Sequence, residues 1–315
     1  MKFPGNQWGL ILGGSSGFGL ATAKKLAAHG MNLIIVHRDR RGVLRRIEPE
    51  FEIIRGHGVR LLTFNADALA ADVRARILAS AREELGAEGR IRLLLHSIAF
   101  GNLKPLVKPR PGRDRDAVIR RLAGELGVDA TRMEETLERL HGEGFPELHT
   151  LVRSAEFGTA LLDDEDFATT IYNMGTSILS WVNGVLAAGL FAGDSRVLGL
   201  TSEGNEIAWR GYAAVGAAKL AMESLSRSMA LELAPHGIRS NIIQAGIAET
   251  PASSLIPGIG AMKSQARLRN PFGRLTRPED VANFIFLMCT DEAAWVNGAI
   301  LRVDGGEHIS GGRGS

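Results

Sequence analysis

A buried strand that runs into a cluster of glycines and then directly into a helix limits this chain more than any other feature. Gly9-Leu-Ile-Leu12 reads as the strand, Gly13-Gly-Ser-Ser-Gly17-Phe-Gly19 as the turn, and 19–29 as the helix, closed by Gly30. Glycine supplies the tight turn, and its missing side chain lets backbone N–H groups at a helix N-terminus approach a pyrophosphate. Glycines alone carry little weight. The strand–turn–helix setting is what makes Gly13, Ser15, Ser16, Gly17, Phe18 and Gly19 candidate dinucleotide ligands.

The alternation repeats. Apolar strands are expected at 32–36, 59–64 and 91–96, with helical segments between them. Continuous Leu/Ile/Val strands separated by helices predict an α/β fold: a Rossmann-like, doubly wound parallel sheet covered on both faces. The pattern then breaks. From 103 to 164 the chain is charged and arginine-rich. Val118, Leu122 and Leu126 fall at helical spacing. Met133, Leu137 and Leu140 do the same after an Asp129 cap, with Gly142 as the expected stop. One domain over 1–315 with a helical insertion at 103–164 is the expected organisation. The insertion reads most simply as an amphipathic hairpin on the surface, and alternatively as a lid. Alternation resumes with a long helix over 167–188, a strand at 196–201, a helix from Tyr212 to about 236, a strand at 240–244, a helix at 278–290 and a strand at 299–303.

Composition removes several function classes. The formal net charge is +2, which gives no electrostatic support to nucleic-acid binding. The apolar stretch near 181–192 is interrupted by Asn183 and too short to span a bilayer. The eight histidines are scattered, without a metal-ligand pair at i, i+4. The single cysteine, Cys289, lies in an apolar run and reads as core rather than nucleophile. A cytoplasmic protein with no membrane and no nucleic-acid partner is expected.

The end of the second strand bears on the cofactor. An acidic residue there would take the ribose 2′-hydroxyl of NAD. The chain reads His37-Arg38-Asp39-Arg40-Arg41. Arg38, supported by Arg40 or Arg41, suits the 2′-phosphate of NADP, whereas Asp39 could take the ribose. NADP (NADPH) is the expected cofactor. Asp67, just past the third strand, is placed to meet the adenine amino group.

Tyr212 and Lys219 carry the chemistry. Positions i+4 and i+7 return to one face of a helix. Gly216 occupies i+4 and offers no side chain, so the first lysine that can join Tyr212 is Lys219. Apolar neighbours at 215–220 argue against a merely solvated lysine. The segment 251–270 is rich in small and apolar residues and reads as a loop bordering the ligand crevice, flexible at Gly258 and Gly260.

The glycine turn, Asp67, the Tyr/Lys helix and the final Val303-Asp-Gly-Gly306 resemble the short-chain dehydrogenase/reductase superfamily. His96-Ser-Ile-Ala-Phe-Gly101, the six-residue gap from Tyr212 to Lys219 and Ala245-Gly246-Ile-Ala-Glu-Thr250 look like the bacterial enoyl-acyl-carrier-protein reductases. The resemblance implies reduction of a trans-2-enoyl thioester, with acyl carrier protein as the candidate carrier. Tyr212 would donate a hydrogen bond to the enolate oxygen, and Lys219 would hold the nicotinamide ribose and keep the field positive. Ser97 and Ile98 would line the cofactor path. Gly246, Ile247 and Thr250 would anchor its carboxamide and phosphate side. The enoyl reductases usually carry a second tyrosine ten residues before the first. Here that position is Ser202, which becomes, with Thr201, the candidate for substrate contact. Asn173 matches a superfamily asparagine that supports a proton-relay water. The resemblance also implies a homotetramer or homodimer built on the 167–188 and Tyr212 helices. A carbonyl or 3-oxoacyl reductase, and a non-catalytic NADP-binding regulator, are the competing readings.

Overall fold

The computed structural model describes residues 2–108, 115–153 and 157–312. Seven strands form one sheet in the order β3-β2-β1-β4-β5-β6-β7. They are β1 (Gln7–Leu12), β2 (Asn32–His37), β3 (Leu61–Asn65), β4 (Arg90–His96), β5 (Phe191–Ser202), β6 (Ile238–Ala245) and β7 (Ile300–Val303). Every pairing is parallel. The order reverses between β1 and β4. In an open parallel sheet that reversal opens a crevice beyond the carboxyl ends of the strands.

Helices cover both faces, as the unbroken apolar strands require. Successive β1 residues point to opposite sides. Leu10 and Leu12 pack with Trp181, Val182 and Met222, while Ile11 packs with Ala23, Leu26 and Ile285. The helices are α1 (Gly17–Ala28), α2 (Arg41–Arg55), α3 (Ala71–Leu85), α4 (Arg115–Leu126), α5 (Ala130–Glu143), α6 (Asp164–Ile171), α7 (Ser177–Ala187), α8 (Ala213–Glu232), α9 (Ile259–Arg269) and α10 (Pro278–Met288). Each fully buried Leu or Ile contributes roughly 1.5–3 kcal/mol, so the two faces are the main source of stability. Cys289 is buried in the second face, and burial pushes its thiol up to about 12.

At the amino ends of β4, β5 and β6 the core carries charge. Arg92, Arg196 and Arg239 converge on Asp194, with Arg92 and Arg196 each 2.5 Å from its carboxylate. Arg196 is 0% exposed, and its Nε donates to the Met288 carbonyl at the end of α10.

Local signals beyond the sheet hold in part. Asp129 caps α5 by accepting from the Thr131 and Arg132 amides. The helix does not stop at Gly142. It ends at Gly144, which adopts the left-handed conformation (φ 109°) that a helix stop of this kind needs. On α4 the expected stripe Val118/Leu122/Leu126 is exposed, and the adjacent Ile119 and Ala123 are buried instead. The helix expected over 167–188 starts earlier, at an Asp163/Asp166 capping box, and is interrupted by a π turn over Tyr172–Thr176. The region read as a loop, 251–270, contains α9. Gly258, left-handed at φ 78°, is the residue before that helix rather than part of a flexible stretch.

Candidate active site

One continuous crevice runs along the carboxyl ends of the strands. Phe18, Ser97, Ile98, Ala99, Thr250 and Ala252 line both its arms. The first arm passes the glycine turn and ends at Arg38 and Asp67. The turn accepts only glycine at key points. A Cβ on Gly13 (φ 85°) would fall 2.5 Å from the Ser97 carbonyl oxygen, and one on Gly19 would fall 2.2 Å from that of Gly13. Gly19 does not face the crevice; it lets α1 close on the turn, a packing role rather than a ligand role. Ser16 precedes α1 without a side-chain cap bond, so its hydroxyl does not occupy the first-turn amides. An elongated cleft passing a side-chain-free turn at a helix N-terminus fits a dinucleotide.

At the far end of this arm, Arg38 lies 4.4 Å over the Phe100 ring and donates to Asp67 Oδ2 at 2.9 Å. Asp67 Oδ1 accepts from the Leu69 amide at 2.9 Å, so both its oxygens are engaged by the protein. Asp39 turns toward His37, with 2.8 Å between its Oδ2 and the ring Nδ1. Arg38 and Asp39 both line the mouth of this arm, the guanidinium paired with Asp67 and the Asp39 carboxylate with His37.

The second arm holds Tyr212, Ser202 and Lys219. Tyr212 precedes α8 as its cap residue, and its hydroxyl lies 3.3 Å from Ser202 Oγ at the end of β5. Lys219, 7% exposed, donates from Nζ to the Leu200 carbonyl at 2.7 Å. The spacing between them is enforced by packing. A side chain one turn after Tyr212 would stand at Gly216, where a Cβ would lie 2.6 Å from the Gly204 carbonyl oxygen. A Cβ on Gly204 would in turn fall 2.3 Å from the Tyr212 ring. Loop and helix interlock glycine against glycine, and Lys219, two turns along, is the first lysine that reaches the site.

Burial dominates the electrostatics here. It brings the Lys219 ammonium down to about 8, with Glu223, one turn further on α8, opposing the fall. It raises the Tyr212 phenol, and the Ser202 hydrogen bond partly offsets that rise. The phenol thus keeps its proton at neutral pH and can donate it. Glu223 also receives hydrogen bonds from Thr201 Oγ1 (2.5 Å) and Asn205 Nδ2 (2.7 Å), which ties the end of β5 to α8. Below them, burial and then the Lys219 charge bring His96 down to about 3, so the imidazole is neutral; its Nε2 lies 2.8 Å from Ser177 Oγ.

Gly246 and Ile247 line the same arm, and Thr250 borders both. A Cβ on Gly246 would fall 2.9 Å from Glu307 Oε2, a buried oxygen with no partner among the described residues. Arg269 Nη2 donates to both oxygens of Glu203 at 2.7 Å and to Glu307 Oε1 at 3.3 Å. Burial, and then the Glu203 charge, push the Glu307 carboxyl up to about 7.

Asn173 is buried in the π turn and does not line the crevice; its neighbour Met174 does. Leu103 and Trp209 join Ile259 and Met262 of α9 in an apolar wall; the sequence already put 251–270 at the crevice, but not Leu103 and Trp209, which come from two other loops. Gly204 was equally invisible, since its constraint is the Tyr212 ring. Among the described residues, no group of His, Cys, Asp and Glu could hold a metal ion, and no helix is long and apolar enough to cross a membrane.

A family model described as enoyl-(acyl carrier protein) reductase matches residues 125–308. A cis-4-hydroxycyclohexanecarboxylate dehydrogenase from Sinomonas cyclohexanicum is 28% identical over 298 residues, spanning 94% of each chain. The enoyl-[acyl-carrier-protein] reductase [NADH] FabI of Aquifex aeolicus is 38% identical over 100 residues, 32% of this chain and 37% of that one. The solved structure of the Aquifex aeolicus enoyl-[acyl-carrier-protein] reductase (NADH) superposes with a TM-score of 0.69 at 22% identity, covering 97% of each chain. The chain thus belongs to the enoyl-(acyl carrier protein) reductase family within the short-chain dehydrogenase/reductase superfamily, and it is an NAD(P)H-dependent oxidoreductase.

Proposed function

We propose that this protein uses NADPH to reduce the C=C bond of a trans-2-enoyl thioester. The observation that carries the reading is the interlock of Gly204 with Gly216, which excludes a side chain one turn after Tyr212 and brings Lys219 in from the second turn. Carbonyl reduction needs the proton donor at the oxygen of the very carbon that receives hydride. In an enoyl thioester the oxygen is two carbons further away, and the longer Tyr–Lys separation suits that geometry. The family match supports the same reaction.

A reduced nicotinamide, bound in this crevice, supplies the hydride for the β-carbon. Tyr212 donates a hydrogen bond to the thioester oxygen as negative charge develops there, and the resulting enolate takes a proton from solvent at its α-carbon to give the saturated thioester. A preorganised donor of this kind in a water-poor site supplies about 3 kcal/mol. Lys219 holds the nicotinamide ribose and keeps the local potential positive. Gly13, Ser15, Ser16, Gly17 and Phe18 face the pyrophosphate, Ser97 and Ile98 the riboses, and Gly246, Ile247 and Thr250 the carboxamide side. Arg38 meets the 2′-phosphate, a reading supported by its place in the lining of this arm, over the Phe100 ring. The protein acts as one cytoplasmic domain with 103–164 inserted, on an acyl group that stays attached to acyl carrier protein. The outer faces of α7 and α8 expose Leu179 and Leu220, which supports a homodimer or homotetramer across them.

The 3.3 Å contact of Ser202 with Tyr212 favours a second reading, reduction of a ketone by a Ser/Tyr pair. Deuteride-labelled NADPH separates the two. Mass spectrometry should find a saturated acyl product with deuterium at its β-carbon. A hydroxyacyl product carrying the label would reject C=C reduction.

A further inference from the structure

The helical segment between β4 and α6 takes no part in the chemistry above: none of its residues from 115 to 153 lines the crevice. It reaches the site at one remove, through α9. His141, near the end of α5, has Nε2 2.8 Å from Ser264 Oγ on α9, and Ser264 is buried. His149, in the 3-10 turn Pro146–Thr150, lies 3.5 Å from Gln265 Nε2. One turn before these contacts, Ile259 and Met262 of α9 form part of the substrate wall.

The segment is built to hold position. Glu134 on α5 receives hydrogen bonds from Arg153 and Arg115, which bring its carboxyl down to about 2. Arg115 Nε also bonds the Leu151 carbonyl at 2.8 Å. At its root, Lys104 pairs with Asp166 at 2.5 Å, and the Leu162 amide donates to the Pro105 carbonyl. α9 itself begins just after the left-handed Gly258, and Gly260 has open space around it. Its far end is tied by Arg269 to Glu203 and Glu307. Between these ends α9 is held by the Lys263 and Arg267 pairs with Glu249, each 3.5 Å, and by the inserted segment through Ser264 and Gln265.

We propose that the inserted segment is a clamp on α9: His141, seated on Ser264, fixes how far α9 stands from Tyr212 and so how bulky an acyl chain the pocket admits. The nature of the substrate rests on the enoyl-thioester reading; the clamp does not. His141 is a positioning residue that acts through α9.

Full-length His141→Ala and Ser264→Ala are compared with the native chain and with His141→Gln, whose amide can still reach Ser264. Hydrogen–deuterium exchange of the amides at 259–269 should speed up about fivefold in both alanine variants, the weight of one hydrogen bond. Strand amides should not change, and His141→Gln should restore protection. With crotonyl and trans-2-dodecenoyl thioesters, the alanine variants should shift the KM ratio about fivefold in favour of the long chain, with kcat unchanged. Unaltered exchange at 259–269 in both alanine variants overturns the clamp whatever the enzyme turns over. Faster exchange with no enoyl turnover even by the native chain upholds the clamp and removes the acyl reading. Faster exchange with an unchanged KM ratio overturns the selectivity role.

Discussion

The two ends of the sheet treat buried charge in opposite ways. At the amino ends, Arg92, Arg196 and Arg239 surround Asp194, and the carbonyls of Met288, Cys289 and Thr290 take further guanidinium hydrogens. Burial works to raise the Asp194 carboxyl, but the Arg196 hydrogen bond and the three guanidinium charges outweigh it and hold it below its ordinary range. At the carboxyl ends, charge is left short of partners. His96 is brought down to about 3, Lys219 down to about 8, and Glu307 up to about 7. Fully paired charge fixes an architecture. Underpaired charge leaves groups with shifted protonation, the pattern expected of a working site.

The comparison breaks most visibly at Asp194. Asp194→Ala leaves three guanidiniums facing one another and should lower unfolding stability by about 3 kcal/mol in urea titration, while kcat/KM of the folded fraction stays constant. Tyr212→Phe should do the reverse. Turnover should fall about 10²- to 10³-fold, and the urea midpoint should not move. A large midpoint shift in Tyr212→Phe would mean that the phenol is structural.

The next effect is on pH. Lys219 loses its charge above about 8, whereas Tyr212 is raised above its ordinary value. The kcat/KM profile should therefore bend down near pH 8, about tenfold per unit beyond it, and the phenol should not set that limb. The last effect concerns Glu307. Its folded pKa, about 7, lies above the ordinary 4.5, so the folded state holds a proton that the unfolded chain has lost. That contribution is present below about 4.5 and is lost as pH rises through about 7. Glu307→Gln should flatten the decline in stability across that window, read from urea midpoints at several pH values.

The sheet was legible because its signals are local. Apolar runs such as Asn32-Leu-Ile-Ile-Val36 and the glycine turn at 13–19 specify strand and turn without help from distant residues. The Tyr212–Lys219 spacing was legible for the same reason. What stayed hidden depends on residues far apart in sequence. Gly204 is fixed by a ring eight positions later, and the tie between Thr201 and Glu223 spans a strand and a helix. Gly258 reads equally as a flexible point or as the start of α9, and only packing decides. On α4, the burial of Ile119 and Ala123 in place of the longer Val118/Leu122/Leu126 stripe is set by where the segment docks rather than by its own periodicity.

The most direct test of the proposed reaction is NADPH oxidation by the purified full-length chain, offered a trans-2-enoyl thioester and, separately, a β-ketoacyl thioester. Oxidation with the enoyl thioester, abolished in Tyr212→Phe, is the expected result. Oxidation with the ketone alone would contradict it and make the Ser202–Tyr212 pair a carbonyl-reducing site.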